Sequence, residues 1–434
     1  MKSDWAALPP AMESAAVVLA ASGGRWEVMG RRGRTLGQRW WAGGWESRVA
    51  EESGVACRVA SHGGAGFAAA AGQGARAGRL AADIAMASLV SGPDPLPPGS
   101  RLGHAVCPPA PVPIQPTTLR AAAEAQLAAL GRYREVEVLE LRLSSSTAIT
   151  QLVTTDGHPV EGHLGGTVLE LLLAAAEGPA RLIQVAAREL GQIDVTTVAE
   201  RAAERVALAS RGGRAEHQLA DVTVAPSVAA PLVLALADRL QRAHRDPHDR
   251  LRTVRVAPDW RLTDERAGPE GLLPQAFDGE GLPSRSHALL ADGHLGDPLL
   301  SWAEAMASGG TAGGAVRPSF RQAPRGGPAN LVVHPSRPLS ARALLDRLET
   351  GFWLDLPAGG VRIDPAGERF ALRAAAVAMV SGRPVASHPQ IELRGTFRRL
   401  LAGLAGTGLD SQSFSLACAV TTPSLLFRRL EVVS

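Results

Sequence analysis

A single lysine, Lys2, occurs among the 434 residues of this chain. That scarcity removes whole classes of chemistry. No lysine stands in a glycine-rich loop to reach a nucleotide's phosphates, and none is placed to form a Schiff base with pyridoxal phosphate or a carbonyl substrate. Cysteine is nearly as scarce: Cys57, Cys107 and Cys418 are odd in number and widely scattered. They argue against a disulfide framework and fit a reducing cytoplasm. Aromatic residues are 4% of the chain and the net charge is only +3, with basic residues dispersed and Arg31-Arg32-Gly33-Arg34 the one short run. Stacking platforms and a basic stripe are both missing, so no nucleic-acid partner is expected. Long apolar runs are missing too. Val228–Leu236 falls well short of the ~20 residues that span a bilayer, and Ala15–Ala21, preceded by Glu13, makes a poor signal peptide. The expectation is a cytoplasmic chain with no membrane partner.

What is present is a composition of 45% hydrophobic and 20% charged residues, ordinary for a globular protein. The length calls for two or three domains. Residues 25–69 read as short strands, Trp26–Arg34, Trp45–Glu51 and Gly54–Ala60, joined by glycine turns. Gly74–Val90 has helical spacing, with Leu80, Ile84, Ala87 and Leu89 on or near one apolar face. Residues 91–116 are dense in proline and predict a stiff, extended surface connector. Beyond it, a helix through Ala121–Leu130 with Thr117 or Thr118 as its cap precedes an alternating strand at Val136–Leu143. A hairpin follows around Asp156-Gly157, then Val168–Ala176 as strand or helix, then a helix at Val198–Leu208 capped by Thr196 or Thr197.

From residue 216 onward, a helix at Ser227–Arg242 introduces a region rich in glycine, proline and short strands. The strand candidates are Arg252–Ala257, His287–Leu290, Asn330–His334, Phe352–Leu356, Arg373–Val380, Gln390–Arg394 and Leu425–Val432, interrupted by helices near Ser340–Leu348 and Phe397–Leu404. The fold class is therefore α+β: amino-terminal α/β layers followed by a mostly antiparallel β domain. The divisions are 1–90, the linker 91–116, a central α+β unit over 117–215, and 216–434.

Few constellations carry chemistry. His244 and His248 are four apart, but Pro247 breaks the helix that would put them on one face, and a solvated loop accounts for them. His158 and His163 flank Glu161 in a turn and lack a third ligand. Gly72-x-Gly74-x-x-x-Gly78 misses the dinucleotide-binding spacing and has no acidic residue at the expected offset, which leaves a turn and close packing. In the turn "FDGEG", Asp278 and Glu280 flank Gly279, with Arg285 near enough in sequence to pair with one of them. Arg317, Phe320 and Arg321 occupy another Gly/Pro-rich loop. A tight turn with a local salt bridge is one reading, and a loop facing a substrate or partner is the other.

The order of segments resembles the TldD/TldE (PmbA) metalloprotease family. "EESGVACRVASHGGAGFAAA" is similar to an element of its first domain. "FDGEGLPSRSHALLADGHL", "NLVVHPSRPLSARALLDRLETGFWL", "GERFALRAAAVAMVSGRPVASHP", "IELRGTFRRLLAGLAGTGLD" and "PSLLFRRLEVV" resemble successive pieces of its carboxyl-terminal half. The resemblance is weakest over 91–160. Catalytic TldD subunits of that family carry HExxxH on a helix, with two imidazoles and a distant thiolate holding zinc and the glutamate placed to activate water. In the matching stretch, "VAPSVAAPLVLALADRLQR", Leu234 and Arg239 stand at the histidine positions and Ala235 at the glutamate. Leu409 or Asp410, rather than Cys418, falls nearest the thiolate position.

The resemblance thus implies a TldE-type, non-catalytic subunit with no metal site of its own, zinc lying in a HExxxH-bearing TldD-like partner. It also implies an unfolded or extended peptide as substrate, bound by strand addition. Asp278, Glu280, Arg285, Arg317 and Phe320 are then candidates for the wall of the peptide chamber. The alternative is a stand-alone peptide-binding or scaffold homodimer without catalysis.

Overall fold

The stretch from Arg25 to Ser61 folds into two very long strands rather than several short ones. β1 (Arg25–Trp41) and β2 (Gly44–Ser61) pair antiparallel from Arg25 opposite Ala60 to Trp41 opposite Gly44. The connecting residues Ala42 and Gly43 have φ of 49° and 79°, the two positive values of a type I′ turn, whose twist matches that of the strands. His62-Gly63, Asp292-Gly293 and Ser381-Gly382 repeat this device in three further hairpins. In this computed structural model the described residues are 8–433, apart from Pro93, Cys107, Ala110, Gly157, His158, Glu177, Arg211 and Arg214. Lys2, Cys107 and the His158 member of the His158/His163 pair therefore lie outside the described residues.

β3 (Gly64–Ala71), β4 (Val90–Ser91), β5 (Val136–Thr154), β6 (Val160–Ala175) and β7 (Arg181–Ala187) extend the pair into a seven-stranded antiparallel sheet, ordered β4-β3-β2-β1-β5-β6-β7. β1 pairs with β5 from Glu27 opposite Thr154 to Trp41 opposite Glu140. Strands from both sides of the proline-rich span thus share one sheet. Alternation marks where a strand lies but not which strand it pairs with, so boundaries drawn from composition at 90 and 117 fall inside this sheet.

Side chains alternate across a strand. Trp26, Val28 and Leu36 of β1 face four helices: α1 (Pro10–Ala20), α2 (Ala75–Ala87), α3 (Pro116–Leu130) and α4 (Val195–Ala209). Glu27, Met29 and Arg31 face the opposite way. Three helical expectations need correcting. On α2 the buried residues are Gly78, Ala81, Ala82 and Ala85, whereas Leu80 and Ile84 are exposed. The reason is proximity: a Cβ on Gly78 would sit 1.9 Å from the Ala11 carbonyl oxygen of α1, so only small residues fit the contact. α4 is capped by Asp194, which accepts from the N–H groups of Thr196 and Thr197, and α3 begins with Pro116 at its first position instead of a threonine cap.

The carboxyl-terminal half forms two larger sheets. One is ordered β11 (His294–Leu295), β10 (Ser286–Ala291), β9 (Leu262–Glu265), β14 (Asn330–Val333), β22 (Ala419–Thr422), β21 (Gln412–Ser415), and a small pair joins β12 (Ala315–Val316) to β13 (Arg325–Gly326). The other is ordered β15 (Pro338–Leu339), β20 (Leu404–Gly408), β23 (Leu425–Val433), β19 (Arg383–Thr396), β18 (Arg369–Val380), β16 (Thr350–Pro357), β8 (Gln218–Val224), with β17 (Arg362–Ile363) on β18. Pairing is mostly antiparallel; β8–β16, β14–β22 and β15–β20 are parallel. β8 also pairs with β23, which closes this second sheet on itself.

Helix α5 (Pro226–Arg245) lies in the core of this half, burying Val228, Leu232, Leu236 and Leu240. α6 (Trp302–Ser308), α7 (Ala341–Arg347) and α8 (Phe397–Gly403) are short. Arg252–Ala257 is not a strand. Asp249 accepts the Leu251 N–H and winds Arg250–Thr253 into a 3₁₀ turn. No helix among the described residues is long and apolar enough to cross a membrane.

The proline-rich span is more than a surface connector. Leu96 is buried, and Leu102 packs with Met29, Leu152 and Phe277. Gly103 donates to the Gly281 carbonyl at 3.1 Å and Ala105 to that of Ala276 at 2.6 Å. Proline removes N–H donors and leaves carbonyls free, and these accept from the sheet: Arg25 reaches Leu96 and Pro97, and Arg58 reaches Pro95. The span works as a strap seated between the sheet and the carboxyl-terminal loops.

Candidate functional site

Glu27 is an acidic residue in an apolar run, fully buried and aimed away from the helices. Arg58 stands opposite it on β2. Arg58 donates Nε to Glu27 Oε1 at 3.1 Å and Nη2 to Oε2, while its Nη1 reaches Glu280 Oε1 at 2.9 Å. Arg317 adds Nη1 to Glu27 Oε1 at 2.7 Å. Glu280 closes the chain of charges by accepting the Trp302 N–H at 2.5 Å, at the start of α6. Two carboxylates and two guanidiniums thereby join the sheet to two loops of the carboxyl-terminal half, all with side chains no more than 5% exposed.

The turn "FDGEG" is built by its aspartate. Asp278 Oδ1 accepts from the N–H groups of Glu280 and Leu282, and Oδ2 accepts from Ala315. Behind it, Arg266 and Asp264 are both fully buried. Arg266 pairs with Asp264 and donates to the Gly314, Ala315 and Gly327 carbonyls, while Asp264 accepts from Ala329 and Asn330. This second pair fixes the loops around β12 and β13. Arg285, expected to pair with Asp278 or Glu280, does neither. It is exposed and donates to the Ala312 carbonyl. Phe320 is fully buried against Gly54 of β2.

Burial pushes the Glu27 carboxyl up, but Arg58 and Arg317 outweigh it and the net shift is downward. For Glu280 burial wins: with Arg58 opposing and Asp278 adding repulsion, its pKa rises from an ordinary 4.5 to about 7. Burial also raises Asp278, against Arg266 and three backbone N–H groups. Between about pH 4.5 and 7 the folded chain therefore keeps a proton on Glu280 that the unfolded chain has released. Stability contributed by this group is full below that window and falls as pH rises through it. Glu27 acts with the opposite sign and below the window, because its folded pKa is depressed. Urea titrations at pH 5 and pH 8 should show a larger loss at high pH in the native chain than in Glu280→Gln. Equal pH dependence in both would refute the assignment.

In front of the network lies a cleft of about 260 Å³. Its floor is the lower face of β1, β5 and β6, including Met29, Leu152 and Leu164, and its walls come from 273–279, 316–318, 325–329 and 415–419. Asp278 and Arg317 line it, whereas Glu280, Phe320 and Arg285 do not. His163, paired with Glu161 at 2.9 Å, and Cys418 also line it. Burial pushes the Cys418 thiol up to about 12, which keeps it protonated and a poor metal ligand.

On α5, Leu234 is half-buried and Ala235 buried. Arg239 is buried and engaged, donating Nε to the Gly367 carbonyl at 2.7 Å and Nη2 to Asp249. These three side chains offer neither ligand nor base. Among the described residues no group of three His, Cys, Asp or Glu side chains is placed to hold a metal ion. The donor set does not fit zinc.

The model of the PmbA/TldA metallopeptidase carboxyl-terminal domain matches residues 218–434, half of the chain. Three solved structures share the fold. A proposed modulator of a DNA gyrase from Thermotoga maritima superposes with a TM-score of 0.83 at 18% identity, covering 98% of this chain and 99% of that one. TldE from Thermococcus kodakarensis gives 0.82 at 17%, with the same coverage. A proposed modulator of DNA gyrase from Bacteroides thetaiotaomicron gives 0.76 at 15%, covering 97% and 98%. No curated protein matches the chain by sequence.

Proposed function

This chain belongs to the PmbA/TldD metallopeptidase family, and within it we propose that the chain is a TldE-like, zinc-less subunit that completes the peptide chamber of a HExxxH-bearing partner. The observation that carries the reading is α5. By the sequence resemblance Leu234, Ala235 and Arg239 stand where both histidines and the glutamate would be, and in the structure Arg239 is committed to Asp249 and Gly367. The likeness to a TldE supports it further. Zinc, which would polarise the peptide carbonyl and activate water, belongs to the partner. This chain contributes the cleft floored by β1, β5 and β6. The substrate in this proposal is an unfolded peptide in a reducing cytoplasm, where Cys57 and Cys418 remain free thiols.

The test is size exclusion combined with peptide digestion, on the chain alone and mixed with a HExxxH homologue from the same organism. Alone, the chain should cleave nothing and hold well under one zinc by elemental analysis after dialysis. The mixture should elute as one complex and digest unfolded peptides until a chelator is added. Chelator-resistant cleavage by this chain alone would sink the proposal. A chain that forms only homodimers and never engages the homologue would favour the scaffold alternative.

A further inference from the structure

The cleft carries positive charge that its own walls leave unanswered. Arg31, Arg317 and Arg325 all line it, and Asp278 is the sole acidic side chain among the described lining residues. Asp278 has both oxygens turned to the Glu280, Leu282 and Ala315 N–H groups. Arg317 spends Nη1 on Glu27 and Nε on the Gln322 carbonyl, yet its Nη2 is buried without a hydrogen-bond partner. Arg31 reaches the Arg317 carbonyl with Nη1 at 3.3 Å, and its Nε is likewise buried without one. Glu52 lies close enough to favour the charged form of Arg31, but its own carboxylate accepts the Ser319 hydroxyl. Arg325 is exposed at the rim, with Asp238 close enough to interact with its charge although outside the cleft lining.

A buried guanidinium N–H without an acceptor forgoes a charge-assisted hydrogen bond that water would have supplied. Arg181 and Arg239 each have one elsewhere, and what sets the cleft apart is that two such arginines converge on one cavity. Beside these cations the lining is apolar: Met29, Leu152, Leu164, Leu273, Phe277 and Leu416. A cavity that combines apolar walls with a few convergent polar groups is the usual form of a small-ligand site. Guanidinium matches a carboxylate in shape and charge better than any other side chain does.

We propose that this cleft captures a peptide by a carboxylate lying next to an apolar side chain, the arginines taking the carboxylate and the apolar wall taking the side chain. The inference rests on the peptide-binding role above and adds to it a substrate class. The carboxylate has two chemical sources, the free carboxyl terminus of the peptide or an aspartate or glutamate neighbouring the apolar residue.

Calorimetric titration of the full chain, without any partner subunit, tests this with three probes. These are acetyl-Ala-Ala-Ala-Leu with a free terminus, the same peptide amidated, and amidated acetyl-Ala-Ala-Leu-Asp. The free acid should bind about tenfold or more tighter than its amide, and Arg31→Gln together with Arg325→Gln should erase the difference. Arg317 is left intact because it holds Glu27. Arg362→Gln, on β17 and outside the cleft, should change nothing. If the aspartate peptide matches the free acid, a side-chain carboxylate serves as well and the carboxylate rule stands. Equal binding of acid and amide, or no binding of any probe, overturns the inference. The readout is independent of proteolysis. An active complex with a chain indifferent to carboxylate would sink this inference alone, whereas carboxylate binding by a chain that never joins a zinc subunit would sink only the proposed role.

Discussion

Arg58→Ala should lower the unfolding free energy by about 3–5 kcal/mol, the loss expected when one member of a buried ion network is removed and a partner, Glu27, is left charged in a dry site. Both partners suffer. Glu27 loses two of its three guanidinium hydrogen bonds, and Glu280 loses its nearest cation. Urea denaturation gives the measurement, with the midpoint shifting and the slope unchanged if folding stays two-state. The double variant Glu27→Gln/Arg58→Met should be less damaging than Arg58→Ala, since it removes a charge of each sign and fills the space. A loss below about 1 kcal/mol for Arg58→Ala would mean that water enters the site and screens it.

Gly78→Ala should be nearly as harmful, and its sign is the test. In an ordinary helix interior this substitution stabilises by about 1 kcal/mol. Here the new Cβ would lie 1.9 Å from the Ala11 oxygen and 2.8 Å from its carbonyl carbon, both backbone atoms. α1 would have to back away, opening the contact that buries Ala11, Ala15 and Ala81. A loss of about 3 kcal/mol is expected, at the upper end of what overpacking usually costs. Gly191→Ala, with open space around its Cβ, serves as the control and should stay within about 0.5 kcal/mol of the native chain. A stabilised Gly78→Ala chain would show that the two helices do not pack this closely.

These two sites also show where the sequence could be read and where it could not. The glycine turns within residues 25–69 were legible: Ala42-Gly43 and His62-Gly63 each put glycine at the second turn position, where positive φ is cheapest. Helices α5, α7 and α8 and six strands of the carboxyl-terminal half, β10, β14, β16, β18, β19 and β23, follow from periodicity. The faces of α2 do not. Leu80 and Ile84 look like a core stripe, yet the helix beside them approaches so closely that alanine and glycine take the inner positions.

The site was half legible. Asp278 and Arg317 were identifiable as unusual charges in glycine-rich loops, and they do line the cleft. Pairing Glu280 with Arg285 followed sequence proximity, whereas the true partner, Arg58, lies 222 residues away. No local pattern encodes that distance. A local hint did exist, since Glu27 and Arg58 each interrupt an apolar strand: a buried charge flanked by core residues needs a partner on its own face of the sheet.

The closed sheet has a consequence for how the chain is made. β8 begins at Gln218, but its neighbours are β16, more than a hundred residues later, and β23, which runs to Val433. During synthesis β8 and α5 leave the ribosome long before the strands that flank them. With elongation at roughly 5–20 residues per second, they wait about six seconds or more for β16 and about ten or more for β23, as an unpaired edge and an uncovered apolar helix. The amino-terminal sheet, complete by Ala187, can fold in that interval. The second sheet can close only once β23 has been made, so the ring is completed at the very end of synthesis.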